Sequence, residues 1–327
     1  MSTSPRPSEA ELAEAVARIA AGEAIGLPTE TVYGLAADAA NRDGVAAIYR
    51  IKGRPADHPL IVHVLDAERA RQWADWPAEA QRLADAFWPG PLTLVLRRRA
   101  DAPAWACGGQ PTIGLRAPAH PLARALLQRL APLGITGLAA PSANRFGRVS
   151  PTSAAHVRAD LGDDIALVLD GGSAPVGIES TIVDLSRGTP VLLRPGAIGA
   201  DRLAAVLGAA VAAPDRAAPR VSGSLPSHYA PVTPLDLVPT ARLAERVAAA
   251  RAAGERVAVW SAAPVAGSDD GVLWRERPAD VDATARMLYA SLRELDRLGV
   301  ARILVEAPAD APQWAAVADR LRRAATR

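Results

Sequence analysis

Residues 41–65 read NRDGVAAIYRIKGRPADHPLIVHVL, and the change of period inside them sets the fold class. Asn41 has the side chain of a helix N-cap, and Val45 and Ile48 recur at helical spacing through about Arg50. Lys52 and Arg54 come just past the helix end, where Pro55 forbids continuation. The run 60–65 is apolar and short and reads as a buried strand, with His63 embedded in it. Helix, polar loop and buried strand within 25 residues make one α/β step.

The same rhythm extends in both directions. Upstream, Ser8 with Glu11 forms a capping box, Leu12, Val16 and Ile19 form one stripe, and Gly22 ends the helix. A strand at 24–27 then runs into the polar turn Pro28-Thr29-Glu30-Thr31. Downstream, helices are expected at 78–87, 121–130 and from Thr152 to Leu161, and strands at 92–96, 112–116, 135–139, 165–169, 180–185 and 190–194. Alternating helices and strands predict an α/β sheet with covered faces, and the two consecutive strands at the end make it a mixed one. Residues 209–233 carry Pro214, Pro219, Pro226 and Pro231 without a sustained period and read as a linker. Beyond it, helices at 242–253, 281–298 and 313–324 and strands at 257–260 and 302–305 predict a smaller α/β domain. The expected organisation is a first domain over 8–208, a linker over 209–233 and a second domain over 234–327.

Composition narrows the function. Lys52 is the one lysine among 37 basic residues. A compact ammonium kept in an arginine-rich chain suits a crowded polyphosphate, and chance retention explains it equally well. The net charge of +2 is too small to argue for nucleic-acid binding by itself. The lone Cys107 excludes an internal disulfide and a multi-cysteine metal site. No signal-like h-region and no long apolar run occurs, so a cytoplasmic protein without a membrane span is expected. No Walker loop, G-x-G-x-x-G, H-E-x-x-H or G-x-S-x-G appears. Polar groups gather instead at predicted strand ends: Thr29 to Thr31, Lys52 with Arg54, Ser142 with Asn144, Ser180 with Thr181, and Arg194. Each has a local explanation as a turn, cap or ion-pair residue, whereas jointly they describe an anion pocket.

Five stretches, in this order, carry a resemblance: Pro28-Thr29-Glu30-Thr31-Val32-Tyr33-Gly34-Leu35, Lys52-Gly53-Arg54-Pro55 with His58-Pro59-Leu60-Ile61, Pro141-Ser142-Ala143-Asn144-Arg145, Ser180-Thr181-Ile182-Val183-Asp184, and Arg194-Pro195-Gly196. They resemble the YrdC/Sua5 family of threonylcarbamoyl-AMP synthases, and His228-Tyr229-Ala230-Pro231 with the extra domain is similar to its long, Sua5-type members. The resemblance implies a YrdC-like twisted mixed sheet with helices on both faces and a smaller Rossmann-like Sua5 domain. It implies condensation of L-threonine, bicarbonate or CO2, and ATP carrying Mg2+ into L-threonylcarbamoyl-AMP, with release of pyrophosphate. A downstream transferase would then place the threonylcarbamoyl group on adenosine 37 of tRNA, so weak tRNA contact is also implied.

By the same resemblance Lys52 and Arg54 are the catalytic cations. The ATP side would use Lys52, Arg54, His58, Thr112, Ser142, Ser150, Arg194 and Tyr229, the last closing over the site. The threonine side would use Thr31, His63, Arg116, the Ala140 backbone and Ser180, with Arg116 as a bidentate fork for the carboxylate. His58 departs from the family, in which Asn is common at this position, and makes that contact pH-sensitive. The alternative is a non-catalytic RNA-binding module on the same fold, for which the sequence offers no aromatic stacking platform.

Overall fold

The computed structural model describes residues 8–265 and 271–326. They form two compact units, residues 8–146 with 150–224, and residues 147–149 with 225–326.

The first unit is built on eight strands: β1 (Ile25–Leu27), β2 (Gly34–Asp38), β3 (Ile61–Val64), β4 (Leu92–Arg97), β5 (Thr112–Arg116), β6 (Gly137–Ala139), β7 (Thr181–Asp184) and β8 (Val191–Arg194). Their order is β1-β2-β6-β3-β5-β4-β7-β8. The pairs β3/β5 and β4/β7 are parallel and the others antiparallel, so the sheet is mixed as expected. Its helices are α1 (Glu9–Ala20), α2 (Arg42–Lys52), α3 (Ala67–Ala70), α4 (Ala78–Phe87), α5 (Pro121–Leu130), α6 (Ala154–Leu161) and α7 (Ala200–Leu207).

Local chemistry explains the element ends. Ser8 and Glu11 close the expected capping box, and Asn41 caps α2 by accepting from Asp43 and Gly44. Gly53 ends α2 in the left-handed conformation, at φ 62°. The α6 cap is Ser153, one residue later than expected, because Thr152 turns its hydroxyl to the His156 ring instead. Two strand expectations need correction. The run 165–169 forms only an isolated bridge at Gly26 and Val168. Conversely, Gly34–Asp38 (GLAAD) has little strand propensity, and β1 and β6 on either side make it one.

The two faces of the sheet differ. Alternate residues such as Val62, Val64, Leu94, Leu96, Ile113 and Leu115 enter a large core covered by α2, α4, α6 and α7. On the opposite face, α1 and α5 cover β1, β2 and β6 through Leu12, Ile19, Leu126, Leu130 and Leu138. That second cluster takes nothing from β4, β5, β7 or β8. Over those strands the chain lays a strap instead.

The strap is the first half of the expected linker. Residues 209–224 belong to the first unit and 225–233 to the second, so the linker divides at Ser224. The strap pairs Leu192 with Ala212, binds Arg187 to Asp215 at 2.8 Å, and exchanges hydrogen bonds between Arg220 and Gln110.

In the second unit, β9 (Leu235–Val238), β10 (Val257–Ser261), β11 (Val272–Glu276) and β12 (Arg302–Glu306) form a parallel sheet in the order β11-β10-β12-β9. Its helices are α8 (Thr240–Ala252), α9 (Val281–Asp296) and α10 (Ala315–Ala325). No helix among the described residues is long and apolar enough to cross a membrane.

Candidate active site

Strand register brings the candidate residues into rows on the strap-covered face. His63 lies beside Arg116, Thr93 beside Ile182, and Ile182 beside Arg194. Leu94 pairs with Leu115, which puts Thr93 next to Arg116 and completes a row from β3 to β8. One step along the strands, Ile61, Gly114, Val95 and Asp184 form the next row. Thr112 begins β5 on the same face. The cavity above this floor is lined by Ile61, Thr93, Thr112, Gly114 and Ile182 below and by Arg220, Val221 and Ser222 of the strap above.

At one end of the floor sits a buried charge cluster. Arg116 donates from Nη1 to Thr31 Oγ1 (2.8 Å) and from Nε to the Gly90 carbonyl (3.3 Å), and Nη2 pairs with Glu30 at 2.6 Å. Glu30 is anchored in turn by the Ala119 N–H (3.0 Å), and Thr29 and Thr31 share a hydrogen bond. The carboxylate fork expected of Arg116 is therefore already engaged within the protein. Two of its five N–H groups make hydrogen bonds, and its Nη2 side is held by the ion pair with Glu30. Beside it, burial and the Arg116 charge push His63 down to about 3, so its ring is neutral. Ala140 lies where β6 ends, and its N–H donates to the Ile61 carbonyl.

The other end is cationic. Arg194 donates to the Ser180 carbonyl (3.0 Å), to Ser180 Oγ (3.1 Å) and to the Ser222 carbonyl (2.8 Å), and Ser180 Oγ also bonds Thr93 (2.7 Å). Arg54 reaches the Pro59 carbonyl (3.0 Å) and Ser222 Oγ (3.2 Å). Its guanidinium also lies over the Phe146 ring, against which His58 packs edge-on at 5.3 Å. Burial first, then Arg54, lowers the His58 pKa. Ser150 donates to Glu179 at 2.6 Å.

Lys52 is fully enclosed. Its ammonium donates to the carbonyls of Ser142 and Asn144, the latter at 2.6 Å, which fixes the 141–145 loop and leaves one N–H. Burial, with Arg54 adding to it, pushes its pKa well below the ordinary range. The structure thus gives Lys52 a loop-holding role besides the phosphate contact expected of it. Tyr229 is a residue of the second unit, where it is buried at φ 62° between the Tyr289 ring (5.6 Å) and the Arg320 guanidinium (5.3 Å).

Thr93, Phe146, Glu179 and Ser222 have no role in the reading of the sequence, and Glu30 enters it only as the carboxylate of the Thr29 to Thr31 cluster. Thr93 was within reach, because in the strand 92–96 it is a hydroxyl at an alternate position among apolar residues.

Residues 17–196 match the Sua5/yciO/yrdC family model, described as telomere recombination. Residues 198–326 match the model described as threonylcarbamoyl-AMP synthase, C-terminal domain. The threonylcarbamoyl-AMP synthase of Pyrococcus abyssi is 38% identical over 93% of this chain and 90% of its own length. That of Bacillus subtilis is 38% identical over 97% and 94%. The crystal structure of P. abyssi Sua5 complexed with L-threonine superposes with a TM-score of 0.90 at 36% identity, covering 98% of this chain and 96% of that one. The chain belongs to the Sua5/yciO/yrdC family, in the form that carries the threonylcarbamoyl-AMP synthase C-terminal domain.

Proposed function

We propose that this chain is an L-threonylcarbamoyladenylate synthase, which condenses L-threonine, CO2 or bicarbonate, and ATP to L-threonylcarbamoyl-AMP and pyrophosphate. The observation that carries the reading is the superposition, over nearly the whole chain, on a relative solved with L-threonine. The amino acid is assigned to Thr31, His63, Arg116 and Ala140 at one end of the floor, and to Ser180, which reaches that end through its hydrogen bond to Thr93. The nucleotide is assigned to Lys52, Arg54, His58, Thr112, Ser142, Ser150 and Arg194. The product would serve a transferase acting on adenosine 37 of tRNA.

The chemistry asks for positioning more than for a base. The threonine amine adds to CO2 and loses a proton, forming a carbamate. A carbamate oxygen then attacks the α-phosphorus, and the bond from that phosphorus to the bridging oxygen breaks as pyrophosphate leaves. Arg54, Arg194 and Lys52 offset the charge that moves onto the leaving group. Neutral His63 can place the substrate by hydrogen bonding without adding charge beside Arg116. The strap keeps water from a hydrolysable product. No group of three or more His, Cys, Asp or Glu side chains converges among the described residues. Mg2+ is assigned to the oxygens of the nucleotide, and no step here runs through a protein-held metal.

The test is pyrophosphate release by the purified chain. Release is expected only when threonine, bicarbonate and ATP are all present. ATP turnover without threonine, or salt-sensitive RNA binding with no pyrophosphate, would overturn the proposal and favour an RNA-binding module.

A further inference from the structure

Glycine is kept in a protein where the backbone turns left-handed or where a neighbour crowds the place of Cβ. Fifteen of the described glycines have positive φ. Eight more have ordinary φ, and a Cβ on any of them would come within 3.3 Å of another atom. Gly114 alone among the described glycines meets neither condition. It sits in the middle of β5 with extended backbone, where glycine weakens a strand. A Cβ there would rest at 3.5 Å from Thr93 Cγ2 and 3.6 Å from Ile61 Cγ1, ordinary van der Waals contact. Nothing in the protein requires the side chain to be missing.

The position of Gly114 shows what does. It lies on the cavity floor, between Ile61 and Val95 in its row. Thr112 and Arg116 flank it on the same face, each about 7 Å away along the strand. Thr112 is assigned to the nucleotide and Arg116 to the amino acid, so the point above Gly114 is where the two halves of the reaction meet.

We propose that Gly114 is a specificity-determining residue, its absent side chain being the space in which the carbamate–phosphate junction is held against the floor. The proposal rests on the synthase reading above. It asks for a linear adduct that runs along β5 past Gly114 at close approach, and a methyl group at this point lifts the adduct off the floor.

Gly114→Ala and Gly114→Val test it. Both side chains suit a strand better than glycine does, so the thermal midpoint is expected to hold or rise. Threonine alone and ATP alone are expected to bind within about twofold of the wild type. Turnover, and affinity for a sulfamoyl-linked, non-hydrolysable threonylcarbamoyl-adenosine, are expected to fall about tenfold in Gly114→Ala and further in Gly114→Val. Wild-type turnover and analogue affinity in both variants would overturn the assignment. So would a lowered thermal midpoint in Gly114→Ala, which would return the glycine to the fold. A wild-type enzyme that releases no pyrophosphate would instead overturn the synthase reading, and the proposal with it.

Discussion

Buried beside Arg116, His63 has no room for a second positive charge, and this makes its protonation a measurable cost. Its pKa is about 3 in the folded chain against an ordinary 6.5. Between those values the unfolded chain binds the proton and the folded chain does not, so stability falls as pH drops through that window. Each pH unit is worth up to about 1.4 kcal/mol. Urea unfolding at pH 7, 5 and 4 is expected to show a shallower loss in His63→Gln than in the wild type, and parallel curves would refute it. Glu30 presents the complementary case. It balances a buried guanidinium, so Glu30→Gln leaves Arg116 uncompensated and is expected to cost roughly 3 kcal/mol in the same assay at pH 7. A loss below about 0.5 kcal/mol would mean that the pair is solvated. Lys52 is more demanding still. Two carbonyls converge on its ammonium, and a guanidinium spreads its donors too widely for that gap. Lys52→Arg is expected to lose at least roughly tenfold in pyrophosphate release, although it restores the cation this chain uses everywhere else. Undiminished release would leave the lone lysine to chance.

The strands whose apolar runs are long, β3, β4, β5, β7 and β8, were legible in the sequence because burial of a strand leaves a local signature. β2 was not, since its strand character comes from two neighbours and not from its own residues. Candidate residues were found as polar groups at strand ends, but their rows were hidden. The neighbour relations of His63, Arg116, Thr93, Ile182 and Arg194 depend on register between strands far apart in the chain. Lys52 meets Ser142 and Asn144 across some ninety residues, a contact that no spacing rule encodes. The strap is the largest such omission. Prolines marked it as irregular, yet irregular backbone can still be tied down side chain by side chain. Ser222 does this by donating to the Pro59 carbonyl (2.9 Å) and accepting from Arg54. Removing about 1 kcal/mol of hydrogen bonding in Ser222→Ala is expected to speed amide exchange over 219–224 roughly fivefold, with β1 unchanged. Equal exchange in both proteins would show that the strap is held elsewhere.

Each unit has its own apolar core, and each places its polar groups at strand ends to a different effect. In the second unit the carboxyl ends of four parallel strands converge, the place where open α/β sheets bind ligands. Here the chain fills it. Glu306, the last residue of β12, accepts from Thr240 just after β9 (2.8 Å), from the Ala262 N–H just after β10 (2.8 Å) and from Arg277 just after β11 (2.9 Å). One carboxylate thus ties together all four strand ends, and Trp314 lies beneath the Arg277 guanidinium. Burial pushes the Glu306 pKa up, but the Ala262 N–H, the Thr240 hydroxyl and Arg277 together hold it below the ordinary value. Its stabilising contribution is therefore complete above about pH 4.5 and is lost as pH falls through the lowered value. Glu306→Leu strands three donors, one of them charged, and is expected to cost about 3–5 kcal/mol. Because the cores are separate, hydrogen exchange should quicken in β10 and β12 and stay unchanged in β3 and β5. Equal acceleration in both sheets would contradict two separately cored units. Unchanged exchange in β10 and β12 would show that Glu306 is replaceable where the four strands end.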